Sequence, residues 1–194
     1  AGCQESASGL RPPGVVQAGA PQPPAPAMLP ANWPPAGLVM RTSAGREFHF
    51  LGRDPNDAEV CVWSTTGSTT ISRQLYGLWS ATGTAAPFHR EGLRTLVPLA
   101  AGRSATYTVA TTNGFWRLTW RVIGDQRIAV PAGEFDVWVL EFLEDSSTGG
   151  FRGERMFYID KATHAPVRVD SRVVRGNSAY GPSWHAISMR QASP

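Results

Sequence analysis

The chain contains no uninterrupted apolar run near the about 18 residues that a spanning helix requires, so any membrane association has to be peripheral or carried by a lipid. Cysteine is scarce. Cys3 and Cys61 are the only two among 194 residues, enough for a single disulfide at most. Charge of either sign is modest: charged residues make up 17% of the chain and the formal net charge is +3. Basic residues are scattered rather than gathered into the stripe that marks a nucleic-acid surface, so no nucleic-acid partner is expected. Lysine is almost missing, because all of the 18 Lys+Arg residues except Lys161 are arginine. A GC-rich coding sequence, which also favours Ala, Gly and Pro, accounts for that bias. Contact with anionic headgroups stays open, since guanidinium groups bind phosphate in a bidentate manner.

Recognisable catalytic patterns are also absent. His49, His89, His164 and His185 are far apart, and none stands in an H-x-H or H-E-x-x-H spacing that would hold a metal. No G-x-S-x-G elbow and no phosphate-binding glycine loop occurs, and Gly149-Gly150 reads as a hairpin turn. Glu141, Glu144 and Asp145 could pair as carboxylates, although a solvated surface turn is the plainer reading. Cys61, between Val60 and Val62, reads as a small buried hydrophobe. No metal, no cofactor and no enzymatic activity are expected from this inventory.

What the chain has in abundance is proline near its start. Pro12, Pro13, Pro21, Pro23, Pro24, Pro26, Pro30, Pro34 and Pro35 fall within residues 4–45, among Ala and Gly with little charge. Each proline fixes its own φ, restricts its predecessor and removes a donor, so the stretch reads as extended polyproline II. At about 3.1 Å per residue such a spacer reaches on the order of 100 Å. Residues 1–45 are therefore expected to be an arm and residues 46–194 a folded domain. Trp33, Leu38, Val39 and Met40 are the arm's sizeable apolar cluster. They stand either as a docking segment for a partner or as the beginning of the domain's own packing.

From Glu47 the texture changes to short runs rich in Val, Thr, Tyr, Phe and Trp, broken by Gly, Pro and Asp. That is the pattern of an antiparallel all-β domain. The clearest run is residues 115–122, where Trp116, Leu118, Trp120 and Val122 share one face and Arg117, Thr119 and Arg121 the other. Gly124-Asp125 reads as punctuation, 127–130 as a short strand, Pro131-Ala132-Gly133-Glu134 as a turn, and 135–143 as a central strand. Runs at 155–159, 167–174 and 184–189 follow. Weaker strands are expected at 47–51, 60–64, 71–79 and 104–111, and the best helix candidate, 87–96, is short. The expected fold is a single curved, mostly antiparallel sheet, or a partly closed barrel or sandwich.

Two groups of residues carry resemblances. Ala1-Gly2-Cys3 looks like the end of a bacterial lipobox, whose cysteine is lipidated. The alternatives for Cys3 are a disulfide with Cys61 or a free thiol. Separately, Gly114-Phe115-Trp116, then Ile128-Ala129-Val130-Pro131-Ala132-Gly133-Glu134-Phe135, then Arg155-Met156-Phe157-Tyr158 and Ala165-Pro166-Val167-Arg168 form a second pattern. It resembles bacterial periplasmic lipoproteins of unknown function that carry a V-P-A-G-x-F turn. Those families are distantly similar to the lipoprotein-carrier fold, a curved antiparallel sheet. The resemblance spans about residues 93–175 and implies a fold and a compartment, the bacterial periplasm, with the protein anchored to the outer membrane or to the periplasmic face of the inner one. This chain lacks counterparts of the helices that fill the mouth of the carriers.

Together these readings point to a non-catalytic, membrane-anchored accessory or scaffolding subunit. It would be tied to the membrane through lipid on Cys3 and dock on a membrane protein complex through Trp33, Leu38, Val39 and Met40. The alternative is a carrier or sensor of a hydrophobic ligand in the concave face of the sheet; an enzyme comes third. Most of Trp63, Trp79, Trp116, Trp120, Trp138 and Trp184 are expected to pack in the core. An aromatic patch of Trp116 and Trp120 rimmed by Arg117, Arg121, Arg168 and Arg172 is the candidate ligand or anion surface.

Overall fold

A computed structural model describes residues 33–111, 114–177 and 180–192. The proline-rich stretch up to residue 32, with Cys3, lies outside these described residues. Eleven strands form one antiparallel sheet in the order β5-β4-β3-β2-β1-β11-β10-β9-β8-β7-β6. The chain enters at the middle with β1 (Leu38–Thr42) and walks outward through β2 (Glu47–Asp54), β3 (Asp57–Thr65), β4 (Ser72–Leu75) and β5 (Trp79–Ser80). It then crosses through the helix α1 (Ala86–Arg94) to the opposite edge. From there β6 (Ser104–Thr111), β7 (Gly114–Val130), β8 (Gly133–Ser146), β9 (Arg152–Asp160), β10 (Pro166–Arg175) and β11 (Trp184–Gln191) walk back to the middle. The edges β5 and β6 do not pair, so the sheet is curved but not closed into a barrel.

The two halves meet in β11. Trp184 and His185 pair with β10, whereas Ala186 and the residues after it pair with β1. A single strand thus turns the corner between them. Period two explains the other strands well: in β7, Leu118, Trp120 and Val122 are buried while Arg117, Arg121 and Ile123 are exposed. At Gly124 the register with β8 shifts by one residue and the strand continues to Val130. The expected punctuation is therefore a bulge, which is what glycine inside a strand commonly marks. Pro131-Ala132 makes the hairpin turn, Gly133 takes φ +138°, and Phe135 packs toward the core as expected. The tip is held by the Ala132 N–H, which donates to the Ala186 carbonyl at 3.3 Å.

Two further departures have clear causes. Residues 71–79 are not one strand, because Tyr76 and Gly77 adopt positive φ and turn the chain between β4 and β5. The sheet also begins at Leu38 rather than at residue 46. Leu38, Val39 and Met40 are buried, Met40 completely, and β1 pairs with both β2 and β11. The apolar cluster expected to dock a partner is thus part of the core and offers no exposed patch. Trp33, partly buried, stacks on Tyr76 with ring centroids 6.0 Å apart.

Buried side chains form two clusters. The first joins Val60 and Leu75 of the early strands to Leu93 of α1, Leu96 just beyond it, and Leu118, Trp120, Leu140 and Phe142 of the later ones. The second joins Leu38, Met40 and Phe50 to Val137, Val139, Val167 and Ala186. The helix has nine residues, too few for independent stability, and its N-cap, Ala85, supplies no side-chain hydrogen bond. It stands because Leu93 is fully buried and because Gly92 lies directly on the Tyr107 ring of β6, where a Cβ would collide.

That contact gives a prediction whose sign opposes helix propensity. Alanine is favoured over glycine by about 1 kcal/mol inside an exposed helix, yet Gly92→Ala should destabilise by about 1–3 kcal/mol through overpacking against Tyr107. Urea unfolding measures the difference; a stabilised variant would mean that α1 is not seated on β6.

Candidate functional site

A concavity of about 480 Å³ lies between the two halves of the sheet. Its walls carry six aromatic rings: Phe48 and Phe50 from β2, Trp63 from β3, Trp79 from β5, Phe157 from β9 and Trp184 from β11. Met40, Leu78 and Val169 add aliphatic surface. These rings pack on one another rather than lie loose. Phe48 meets Trp184 at 6.0 Å and Trp63 edge-on at 6.2 Å, and Phe50 meets Trp63 at 5.9 Å. On the other side Trp79 contacts Phe142 at 4.9 Å and Trp120 at 6.1 Å. The walls are therefore continuous with the core and hold their shape.

Polar and charged side chains make up a third of the lining residues. Gln74, Ser72, Thr65, Ser80 and Ser171 supply neutral donors and acceptors, and the charged lining residues are Arg46 and Arg155, with no carboxylate. Arg155 belongs to the inward face of β9, because it pairs in register with Phe142 and Ser171 and lies two residues before Phe157. Its guanidinium sits 4.1 Å from the centroid of the Tyr180 ring, which itself lies against Gly153 so closely that a Cβ there would be 2.6 Å from the ring. Burial pushes the Tyr180 hydroxyl up to about 12. Nearby, burial raises the Glu144 carboxyl above its ordinary range, and the Arg155 charge offsets that only in part.

The sequence-predicted surface does not assemble as a unit. Trp120 is fully buried, its ring tilted against Phe142 at 4.3 Å and near Phe157 at 5.4 Å. Trp116 is half-buried against Phe151, its indole N–H donating to Thr111 Oγ1 at 3.2 Å. Arg117 and Arg121 point from the opposite face of β7, as the alternation requires. Arg121 pairs with Glu141, Arg168 with Asp170, and Arg172 with Glu154. These three arginines are thus engaged by carboxylates, which lowers their value as an anion surface. Glu141 and Asp145 lie in β8 rather than in a turn, each in an ion pair, the latter with Arg175.

A second concentration of titratable groups joins α1 to β3. Arg90 and Arg94 both donate to the Glu59 carboxylate, Arg94 Nε at 2.7 Å, and the Tyr76 hydroxyl donates to it at 2.5 Å. Arg90 also donates to Asp57 at 2.6 Å. Glu59 is 4% exposed. Burial alone would raise its pKa, but the hydrogen bonds from Arg94, Tyr76 and Arg90 together hold it below the usual carboxylate value. This cluster was not foreseen, since its members are separated by more than thirty residues; the spacing of Arg90 and Arg94 on one helix face was the available signal. Next to it, His89 is buried, contacts the Tyr107 hydroxyl at 3.1 Å through Nδ1 and lies 5.4 Å from the Trp79 ring that walls the cleft. Burial lowers its pKa to about 4.

The other histidines remain apart: His49 bonds Thr66 at 2.9 Å, and His164 sits at positive φ before β10. Among the described residues no group of three or more His, Cys, Asp or Glu comes together to hold a metal ion. Cys61 is buried and its thiol is pushed up to about 12 by that burial.

A family model described as "Protein of unknown function (DUF3108)" matches residues 89–179. This segment contains the V-P-A-G-x-F turn and the strands that carry the resemblance seen in the sequence. No curated protein matches the chain. The crystal structure of the hypothetical lipoprotein YmcC from Escherichia coli K12 aligns with a TM-score of 0.45 at 14% identity, over 81% of this chain and 84% of that one.

The buried imidazole makes stability depend on pH in a defined window. The unfolded state takes up a proton on His89 near its ordinary value of 6.5, while the folded state resists until about 4. Stability is therefore full above pH 6.5 and falls by roughly 3 kcal/mol as pH drops from 6.5 toward 4. Glu59 and Asp57, with lowered values, add their loss only below their ordinary values of 4.5 and 3.8. His164, also lowered by burial, adds a decline of the same sign, so urea midpoints taken between pH 7 and 4.5 should decline more steeply in the wild type than in His89→Phe; an equal decline in both would assign the slope elsewhere.

Proposed function

We propose that this protein is a non-catalytic carrier or sensor that holds a hydrophobic ligand in the cleft between the two halves of its sheet. The observation that carries the reading is the cleft itself: about 480 Å³, walled by six aromatic rings and free of acidic side chains. That volume falls in the range of ligand pockets, roughly 300–1,000 Å³, which are typically apolar with a few placed polar groups. Each methylene of a chain laid against these rings would gain about 0.8 kcal/mol. Of the residues named for docking in the accessory-subunit reading, Leu38, Val39 and Met40 are buried in β1.

In this reading the domain works at a bacterial envelope membrane, held there by lipid on Cys3. Support comes from the Ala1-Gly2-Cys3 sequence and from the proline-rich stretch after it, which would give the domain reach from the surface.

Two experiments test these statements separately. Titrating the purified protein with the neutral fluorophore N-phenyl-1-naphthylamine should give saturable one-to-one binding. Trp63→Ala and the cleft-filling Ser171→Trp should each weaken it at least tenfold while circular dichroism stays unchanged. Absent saturation, or full affinity in a folded Ser171→Trp variant, would remove the cleft as the site. For the anchor, Cys3→Ser should move the protein from the membrane fraction to the soluble periplasmic fraction; retention of the variant on membranes would rule out lipid on Cys3 as the tether.

A further inference from the structure

The cleft has a chemical polarity that its apolar walls alone do not explain. Arg155 lies on the inward face of a central strand, in register with the fully buried Phe142. No carboxylate is hydrogen-bonded to it among the described residues. The groups facing it are the Tyr180 ring at 4.1 Å and the Glu144 carboxyl, whose own burial disfavours its charge. Arg46, exposed at the cleft, is the other cation of the lining. By contrast Arg121, Arg168, Arg172 and Arg175, from neighbouring strands, each bind a carboxylate. Arg155 and Arg46 thus present guanidinium groups to the cleft that no carboxylate hydrogen-bonds among the described residues.

A guanidinium that no carboxylate hydrogen-bonds has its planar fork free for one offered by a ligand, through two parallel N–H···O bonds. The rest of the lining fits what would be attached to that carboxylate, since the aromatic rings continue from Phe157, two residues along β9, to Trp184, Phe48 and Trp63. We propose that the ligand is a long-chain fatty acid, with its hydrocarbon chain between the aromatic walls and its carboxylate on the Arg155 guanidinium. This rests on the cleft being the ligand site and adds the charge and the polarity of the ligand to it.

The test compares palmitate with hexadecanol, which share a chain length and differ in charge, on the full purified chain at pH 8 by competition against N-phenyl-1-naphthylamine. Wild-type protein should bind palmitate at least tenfold more tightly than hexadecanol. Arg155→Gln should lower palmitate affinity to that of the alcohol and leave the alcohol unchanged, and Arg155→Lys should restore part of the preference. Equal affinity of wild type for the two compounds, or an undiminished preference in Arg155→Gln, overturns the assignment of a carboxylate while leaving the cleft as an apolar site. Displacement of the probe by neither compound overturns it together with the reading it rests on. Should Arg155→Gln fail to fold, the wild-type preference should shrink severalfold between 20 mM and 1 M salt; an unchanged ratio overturns the proposal as well.

Discussion

The bond on which the architecture depends is the one between the Glu59 carboxylate and the two arginines of α1. An eleven-stranded antiparallel sheet that begins and ends in unpaired edges exposes rows of free backbone groups there, and such edges invite association with other chains. Here both edges flank a single connection, and that connection carries the helix. Arg90 and Arg94 reach Glu59 from one side of α1 while Leu93 goes into the first core cluster, so the helix is fixed by charge and by apolar burial together. Glu59 is the buried member and takes hydrogen bonds from both arginines and from Tyr76, so its removal leaves two partly exposed arginines without their common partner. The helix cannot compensate through its own propensity, being one of nine residues without a side-chain cap.

The shape of the cleft follows from the same constraint. Trp79 belongs to the short edge strand β5, and it touches His89 of α1 on one side and Phe142 and Trp120 on the other. Holding α1 in place therefore holds this wall. The opposite walls are set by β11, whose Trp184 pairs with β10 just before the strand turns into its pairing with β1. The cleft is thus bounded at the two places where the sheet changes from one half to the other. Trp63, Phe157 and Trp184 are held there by strands in fixed register, while Ala44, Gly77, Gly181 and Pro182 line the cleft from turns and loops.

How much of this was legible in the sequence depends on how local the controlling interaction is. Period-two alternation located β6 at Ser104–Thr111 and separated Trp116 and Trp120 from Arg117 and Arg121 onto two faces of β7. Taken strictly, that alternation already forbade the mixed aromatic and arginine patch, since one strand cannot present both sets on one side. Leu38–Thr42 was hidden because three consecutive apolar residues lack alternation and follow two prolines, so they read as the end of the arm. Gly124 was read as a break because a bulge and a turn share the same residue preferences. The ion cluster of Asp57, Glu59, Arg90 and Arg94 and the cleft itself were not legible, as both arise from strands and a helix brought together across the sheet.

Arg155 shows what the completed fold adds to a residue that the sequence left unremarked. An arginine turned inward on a strand can protect an edge from pairing with another chain, but β9 lies between β8 and β10 and has no free edge. It can also balance a carboxylate, and Glu144 feels its charge, but no hydrogen bond joins the two. A leucine would pack beside Phe142 and Phe157 without any desolvation cost. Contact with the Tyr180 ring gives the guanidinium one structural role, and its place in the lining of the aromatic cleft gives it a second: a positive charge held beside the aromatic walls.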